Sequence, residues 1–249
     1  MTKKLFITVT TAALIFLGGK ALHAEFTPIS IDSTKGPIIV ELFTSQGCSS
    51  CPPADQIMGQ LSEHPDFIPL SYHVTYWDHL NWKDTLGRRF SDRRQRAYAR
   101  YKNLERVYTP QMIINGQKEF VGSRKYEADR ELGKASPVAK IKLAGMTEET
   151  TSIHVPTVTK GDYKFWIAGV KETHNQTIKR GENTGKQISY KNSVLTLDQG
   201  EWWDGTAKTV ELKLEKKPNI DYYVVFAQQQ GFGEIVAAGK INPKANVNN

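Results

Sequence analysis

The hydrophobic pattern along the chain changes character twice. An apolar run at residues 5–17 follows Lys3 and Lys4 and stands apart from everything after it. Residues 36–45, GPIIVELFTS, are almost continuously β-branched and apolar, as expected of a strand buried on both faces. Gly47 breaks that run. From Ala54 onward ADQIMGQLSEH sets Ile57, Leu61 and, less regularly, Met58 on one helical side. FIPLSYHVTYW, residues 67–77, is a second strand candidate, and residues 78–104 read as a loop and then a helix, an insertion rich in Arg and aromatics. Residues 107–123 predict a strand, a hairpin turn at Asn115-Gly116 and another strand, with Gly122 ahead of the helix KYEADRELGKA.

From Ser136-Pro137 helical periodicity all but disappears. Segments such as VAKIKLAG, SIHVPTV, YKFWIAGV, KTVELKLE and YYVVFAQQ alternate or are apolar throughout, and Gly, Asp, Asn and Lys separate them. That texture predicts an antiparallel sandwich. The expected organisation is a leader at residues 1–24, an α/β domain at 25–136 and an all-β sandwich-like domain at 137–249.

The leader carries the marks of a secretory signal: a basic start, a short apolar core, Gly18-Gly19, and a cleavage site near Leu22-His23-Ala24. Its apolar run is too short for the roughly 20 residues of a spanning helix, so no stable membrane span is expected after its removal. Removal takes away Lys3, Lys4 and Lys20 and lowers the formal charge from +7 to +4. The local excess sits in RRFSDRRQRAYARYK, residues 88–102, which reads as a solvated helix face. A basic excess so confined, in an exported chain, argues against nucleic-acid binding. The expected location is periplasmic or secreted.

Export places the only two cysteines, Cys48 and Cys51, where disulfides persist. A bridge over so short a loop would contribute roughly 2 kcal/mol in the chain-entropy picture, less than the roughly 3 of a fifteen-residue loop. A Cys-x-x-Cys at a strand-to-helix turn suits another use. Amide donors and the positive helix end favour a thiolate at Cys48, and Cys51, one turn on, is placed to resolve a mixed disulfide there. Three uses stay open on the residues alone: a staple, a metal site, or a redox dithiol.

The order strand, Cys-x-x-Cys, helix, strand, YTP, strand, NG, strand, helix resembles the thioredoxin superfamily. ELFTSQGCSSCPPAD, YHVTYWDHLNWKD, RRQRAYA, YTPQMIING, RGENTGK and WWDG together are similar to the secreted thioredoxin-like proteins grouped as domain of unknown function 1223. The resemblance implies a thioredoxin-like domain with a helical insertion, followed by the β-sandwich. It implies a cis bond at Thr109-Pro110, with Thr109, Pro110 and Tyr108 beside the dithiol and the substrate chain. It also suggests Glu41, seven positions before Cys48, as the proton acceptor for Cys51, although the buried carboxylate of thioredoxin stands six before. Trp77 and Trp82 are candidates for a substrate groove, with packing as the alternative.

The expected activity is thiol–disulfide exchange with exported thiol or disulfide proteins, without an organic cofactor. One rival is a copper(I) chaperone using Cys48, Cys51 and His73 or His79 as soft and imidazole ligands. Another is a non-catalytic binding module whose disulfide locks the turn. Asp78 or Asp84 is expected to pair with Arg94, Gln95 and Tyr98. The polar KRGENTGK segment, residues 179–186, reads as a hairpin loop.

Overall fold

A computed structural model describes residues 36–146, 150–214 and 217–242. The signal-like segment at residues 1–24 lies outside the described residues. Strand β1 (Ile38–Thr44) is buried along its whole length and leads into helix α1 (Pro52–Leu61). Strand β2 (Phe67–His73) follows, then helix α2 (Arg89–Tyr101), strands β3 (Gln111–Ile114) and β4 (Lys118–Val121), and helix α3 (Lys125–Lys134). The remainder is β: β5 (Ala139–Lys140), β6 (Lys142–Met146), β7 (Thr151–Val155), β8 (Tyr163–Thr177), β9 (Gln187–Trp203), β10 (Lys208–Leu212), β11 (Tyr222–Gln229) and β12 (Ile235–Ile241).

Alternation along β1 assigns its side chains to two layers. Ile38, Val40 and Leu42 pack with Ala54, Ile57, Met58 and Leu61 of α1 and with Ala128 and Leu132 of α3. Ile39 and Phe43 enter a second cluster on the opposite face, with Tyr72, Tyr98, Val170, Val224 and Phe226. This second cluster draws on both halves of the chain. The turn between β3 and β4 has Asn115 and Gly116 at φ 47° and 72°, the left-handed pair that a two-residue hairpin needs.

The sheet order overturns the expected architecture. Nine strands form one mixed sheet, β4-β3-β1-β2-β9-β8-β11-β12-β5, and β10-β7-β6 form a separate small sheet. Among the described residues strand accounts for 42% and helix for 16%, so this part of the chain is mostly β and is not an α/β thioredoxin fold with a helical insertion and a sandwich after it. The physical reason lies at the outer edge of β2. There β9 pairs alongside it, with Ser71 opposite Ser193, and extends the same sheet across residue 136. What read as several short strands is dominated by two long ones, β8 and β9, paired from Tyr163–Trp203 to Thr177–Gln187 with register shifts that interrupt the alternation. The expected insertion contributes one helix, α2, whose buried side, Ser91, Arg94, Gln95 and Tyr98, packs into the shared interior. No helix among the described residues is long and apolar enough to cross a membrane.

Candidate functional site

Cys48 and Cys51 are joined by a disulfide between β1 and α1. Both are buried, at 1% and 0% exposure, while Ser49 and Ser50 between them face solvent. The turn is built from local amides: Cys48 N–H donates to the Ser45 carbonyl at 3.1 Å and Cys51 N–H to the Cys48 carbonyl at 3.2 Å. Pro52 and Pro53 open α1, where missing donors are tolerated. They also limit the help that the helix end can give a Cys48 thiolate. The two prolines have no N–H, and the amides of Ala54 and Asp55 already donate to the Cys51 carbonyl at 2.9 and 3.1 Å. The helix dipole and the Ser50 hydroxyl, 3.4 Å from Cys48 Sγ, are left to steady the charge.

Three segments distant in sequence hold the turn. Gln46 is the hub of the first: its N–H donates to Asp84 Oδ2 at 2.8 Å, its Nε2 to Thr85 Oγ1 at 2.9 Å, and its Oε1 accepts from Trp82 Nε1 at 2.9 Å. Trp77 is the second. Its indole N–H donates to Thr109 Oγ1 at 2.8 Å, and a Cβ at Gly47 would come within 3.2 Å of its own Cβ, so glycine is what lets the turn lie against it. The third is the β8–β9 loop. Asn183, fully buried, donates through Nδ2 to the carbonyls of Gln46 at 3.0 Å and Cys48 at 2.8 Å, and Glu182 accepts from Ser49 N–H at 3.2 Å. The KRGENTGK segment is thus a clamp on the dithiol turn. Trp77 and Trp82 are only partly exposed, and both indole N–H groups are used inside the molecule.

The Thr109–Pro110 peptide bond is cis. Gln95 of α2 fixes the segment, donating through Nε2 to the Tyr108 carbonyl at 2.7 Å and to Gln111 Oε1 at 3.0 Å. Tyr108 donates its hydroxyl to Glu119. Trp77 links this segment to the dithiol turn.

Glu41 occupies a different place from the one the sequence suggested. Odd-numbered β1 side chains face away from α1, and Glu41 accepts from Arg94 Nε at 2.6 Å and from the Tyr98 hydroxyl. Arg94 is 1% exposed, donates also to Gln228 Oε1 at 3.1 Å, and lies among the rings of Tyr72, Tyr98, Trp166, Phe226 and Phe232 at 5.1–5.5 Å. Burial alone would lower its affinity for its proton, but Glu41 more than reverses that. The Arg94 partner is therefore Glu41; Asp84 pairs with His73, and Asp78 accepts from Asp84 N–H at 3.1 Å.

On the α1 side of β1 the sequence offered no candidate, yet a carboxylate is buried there. Asp55 is 4% exposed, and Thr44 donates its hydroxyl to Oδ1 at 2.8 Å. Burial pushes its carboxyl up to about 7, against the opposing pull of His73 and the Thr44 hydrogen bond. His73 Nδ1 lies 2.9 Å from Asp84 Oδ2. Burial disfavours the imidazolium, but Asp84 and then Asp55 outweigh it and its affinity for the proton is raised. Asp84 is correspondingly lowered: burial resists, but His73 and the amides of Gln46 and Leu86 prevail. Asp55 Oδ2 and His73 Nε2 are buried with no hydrogen-bond partner among the described residues. The signal that could have found Asp55 was its place four residues after Cys51.

His79 is exposed, stacks on Trp77 and is 2.8 Å through Nδ1 from the Tyr76 carbonyl oxygen. Among the described residues no group of three or more His, Cys, Asp or Glu is arranged to hold a metal.

No curated protein matches the chain significantly. The solved structures similar to the chain include these two. A structural-genomics protein from Agrobacterium tumefaciens, solved by X-ray crystallography, has 27% identity and a TM-score of 0.69 over 85% of this chain and 96% of that one. HBP35 of Porphyromonas gingivalis, at 14% identity and a TM-score of 0.52 over 86% and 79%, shares the fold alone. The profile described as protein of unknown function (DUF1223) matches residues 39–228, from the second residue of β1 to the penultimate residue of β11, and the chain belongs to that family.

Proposed function

We propose that the protein is an exported thiol–disulfide oxidoreductase acting through Cys48 and Cys51. The observation that carries this reading is the pairing of the chain's only two cysteines as a disulfide at a strand-to-helix turn, with solvent-facing Ser49 and Ser50 between them. A bridge over so short a loop stabilises the fold weakly compared with longer loops. The positive end of α1 beside it favours a thiolate at Cys48. The kinship with the thioredoxin superfamily is, on this reading, one of site and not of whole-chain architecture. Cys48 takes up the partner sulfur, and Cys51 releases it.

The experiment is trapping. Reduced Cys51→Ser protein incubated with disulfide-bonded partner proteins should accumulate a mixed disulfide on Cys48, visible as a reducible adduct by mass spectrometry, while Cys48→Ser should accumulate little. Equal or absent adducts in both would sink the proposal. One observation favours a second reading, a binding module with a locked turn: both sulfurs are almost fully buried and Asn183 clamps the Cys48 carbonyl. Partner binding unchanged in a Cys48→Ser/Cys51→Ser double variant, with no exchange by the wild type, would select it.

A further inference from the structure

We infer that Asp55, backed by the His73–Asp84 pair, is the proton acceptor for Cys51 when Cys51 resolves a mixed disulfide on Cys48. The inference rests on the exchange reading and assigns a residue to one of its steps. Asp55 lies one helical turn beyond Cys51, its amide donates to the Cys51 carbonyl at 3.1 Å, and both side chains are buried at the same end of α1. Glu41 cannot take the part, because it lies across β1 from α1 and is committed to Arg94 and Tyr98.

The surroundings of Asp55 are those of a proton store. Oδ1 accepts from Thr44, and Oδ2 is buried and open. The titratable groups that act on Asp55 electrostatically are His73 of β2 and Asp84 of the 74–88 loop, and Asp55 in turn acts on Tyr190 of β9. Arg88 opposes the charging of His73. Asp84 holds His73 by Nδ1, so the open nitrogen is Nε2. An isolated buried carboxylate would resist ionising; one facing an imidazole that can charge has a compensating partner. A carboxyl titrating near neutrality is matched to accepting and returning a thiol proton at that pH.

The step balances as follows. Cys51 gives its thiol proton to the Asp55 carboxylate, and the Cys51 thiolate attacks Cys48 Sγ. The Cys48–Cys51 bond forms, and the bond from Cys48 to the partner sulfur breaks. The partner leaves as a thiolate and takes a proton from solvent. Over both half-steps the two cysteines are oxidised by two electrons and the partner disulfide is reduced to two thiols.

The test uses the reduced mature protein and dipyridyl disulfide, which releases one thiopyridone when Cys48 attacks and a second when Cys51 resolves. Asp55→Asn should leave the first, concentration-dependent release unchanged and slow the second, unimolecular one on the order of 10²-fold at neutral pH. Thr44→Val, which deprives the carboxylate of a donor, should move the pH inflection of the second release upward. A second release in Asp55→Asn as fast as in the wild type, or an inflection unmoved in Thr44→Val, overturns the role of Asp55 alone. A wild type that gives no second release overturns the exchange reading with it.

Discussion

A carboxylate as deeply buried as Asp55 has consequences for stability that run opposite to those of a salt-bridged surface acid. Its folded-state affinity for a proton, near pH 7, exceeds that of an unfolded aspartate near 3.9, so the native state holds the extra proton between those values. The group therefore favours the fold at low pH, and the advantage drains away as pH rises from about 4 to about 7. Asp55→Asn removes the ionisation. At pH 8 the variant should be more stable than the wild type by roughly 1–3 kcal/mol in urea denaturation, with the gap closing toward pH 4. A variant less stable than the wild type at pH 8 would contradict this. Sequence reasoning found Cys48 and Cys51 through their spacing but gave the proton to Glu41. The reason is parity. On β1 one residue decides the face, and the odd position at 41 points to Arg94, while the carboxylate on the dithiol side belongs to helix α1, four residues on from Cys51.

At the scale of elements, the β1–turn–α1 unit and the Asn115-Gly116 hairpin were legible because each is written in consecutive residues. The clamp over the dithiol was not, because Asn183 and Cys48 are 135 positions apart and nothing local marks the pair. Asn183 satisfies two carbonyls of the turn from a buried position. Asn183→Ala would leave both without that donor, and the oxidised protein should lose about 1–3 kcal/mol in denaturant titration. Unchanged stability would show that the loop merely covers the turn. Arg94 was hidden in a similar way. Arg89, Arg93, Arg96 and Arg100 of the same helix are exposed as a charged face should be, but the arginine on the opposite side is buried among aromatics.

At the scale of the molecule, the sheet joins what the change of texture near residue 136 had separated. Local pattern shows where strands are but not which edges meet, and the β2–β9 junction is a matter of edges. The Glu41–Arg94–Gln228 network crosses the same divide, joining β1, α2 and β11. Removing one partner from a buried ion pair of this kind costs about 3–5 kcal/mol. The dithiol is consequently braced from both ends of the chain: by Gln46 and Trp77 on one side and by Asn183 on the other. Whether so braced a bridge opens and closes under physiological poise is decided by its reduction potential. Purified metal-free protein equilibrated in glutathione and dithiothreitol buffers, with free thiols counted, measures it directly. Exchange chemistry predicts a value above about −300 mV, near −270 mV for a reductant and −200 mV or higher for an oxidant or isomerase, whereas a bridge that stays closed well below about −300 mV would contradict the account and leave a structural lock.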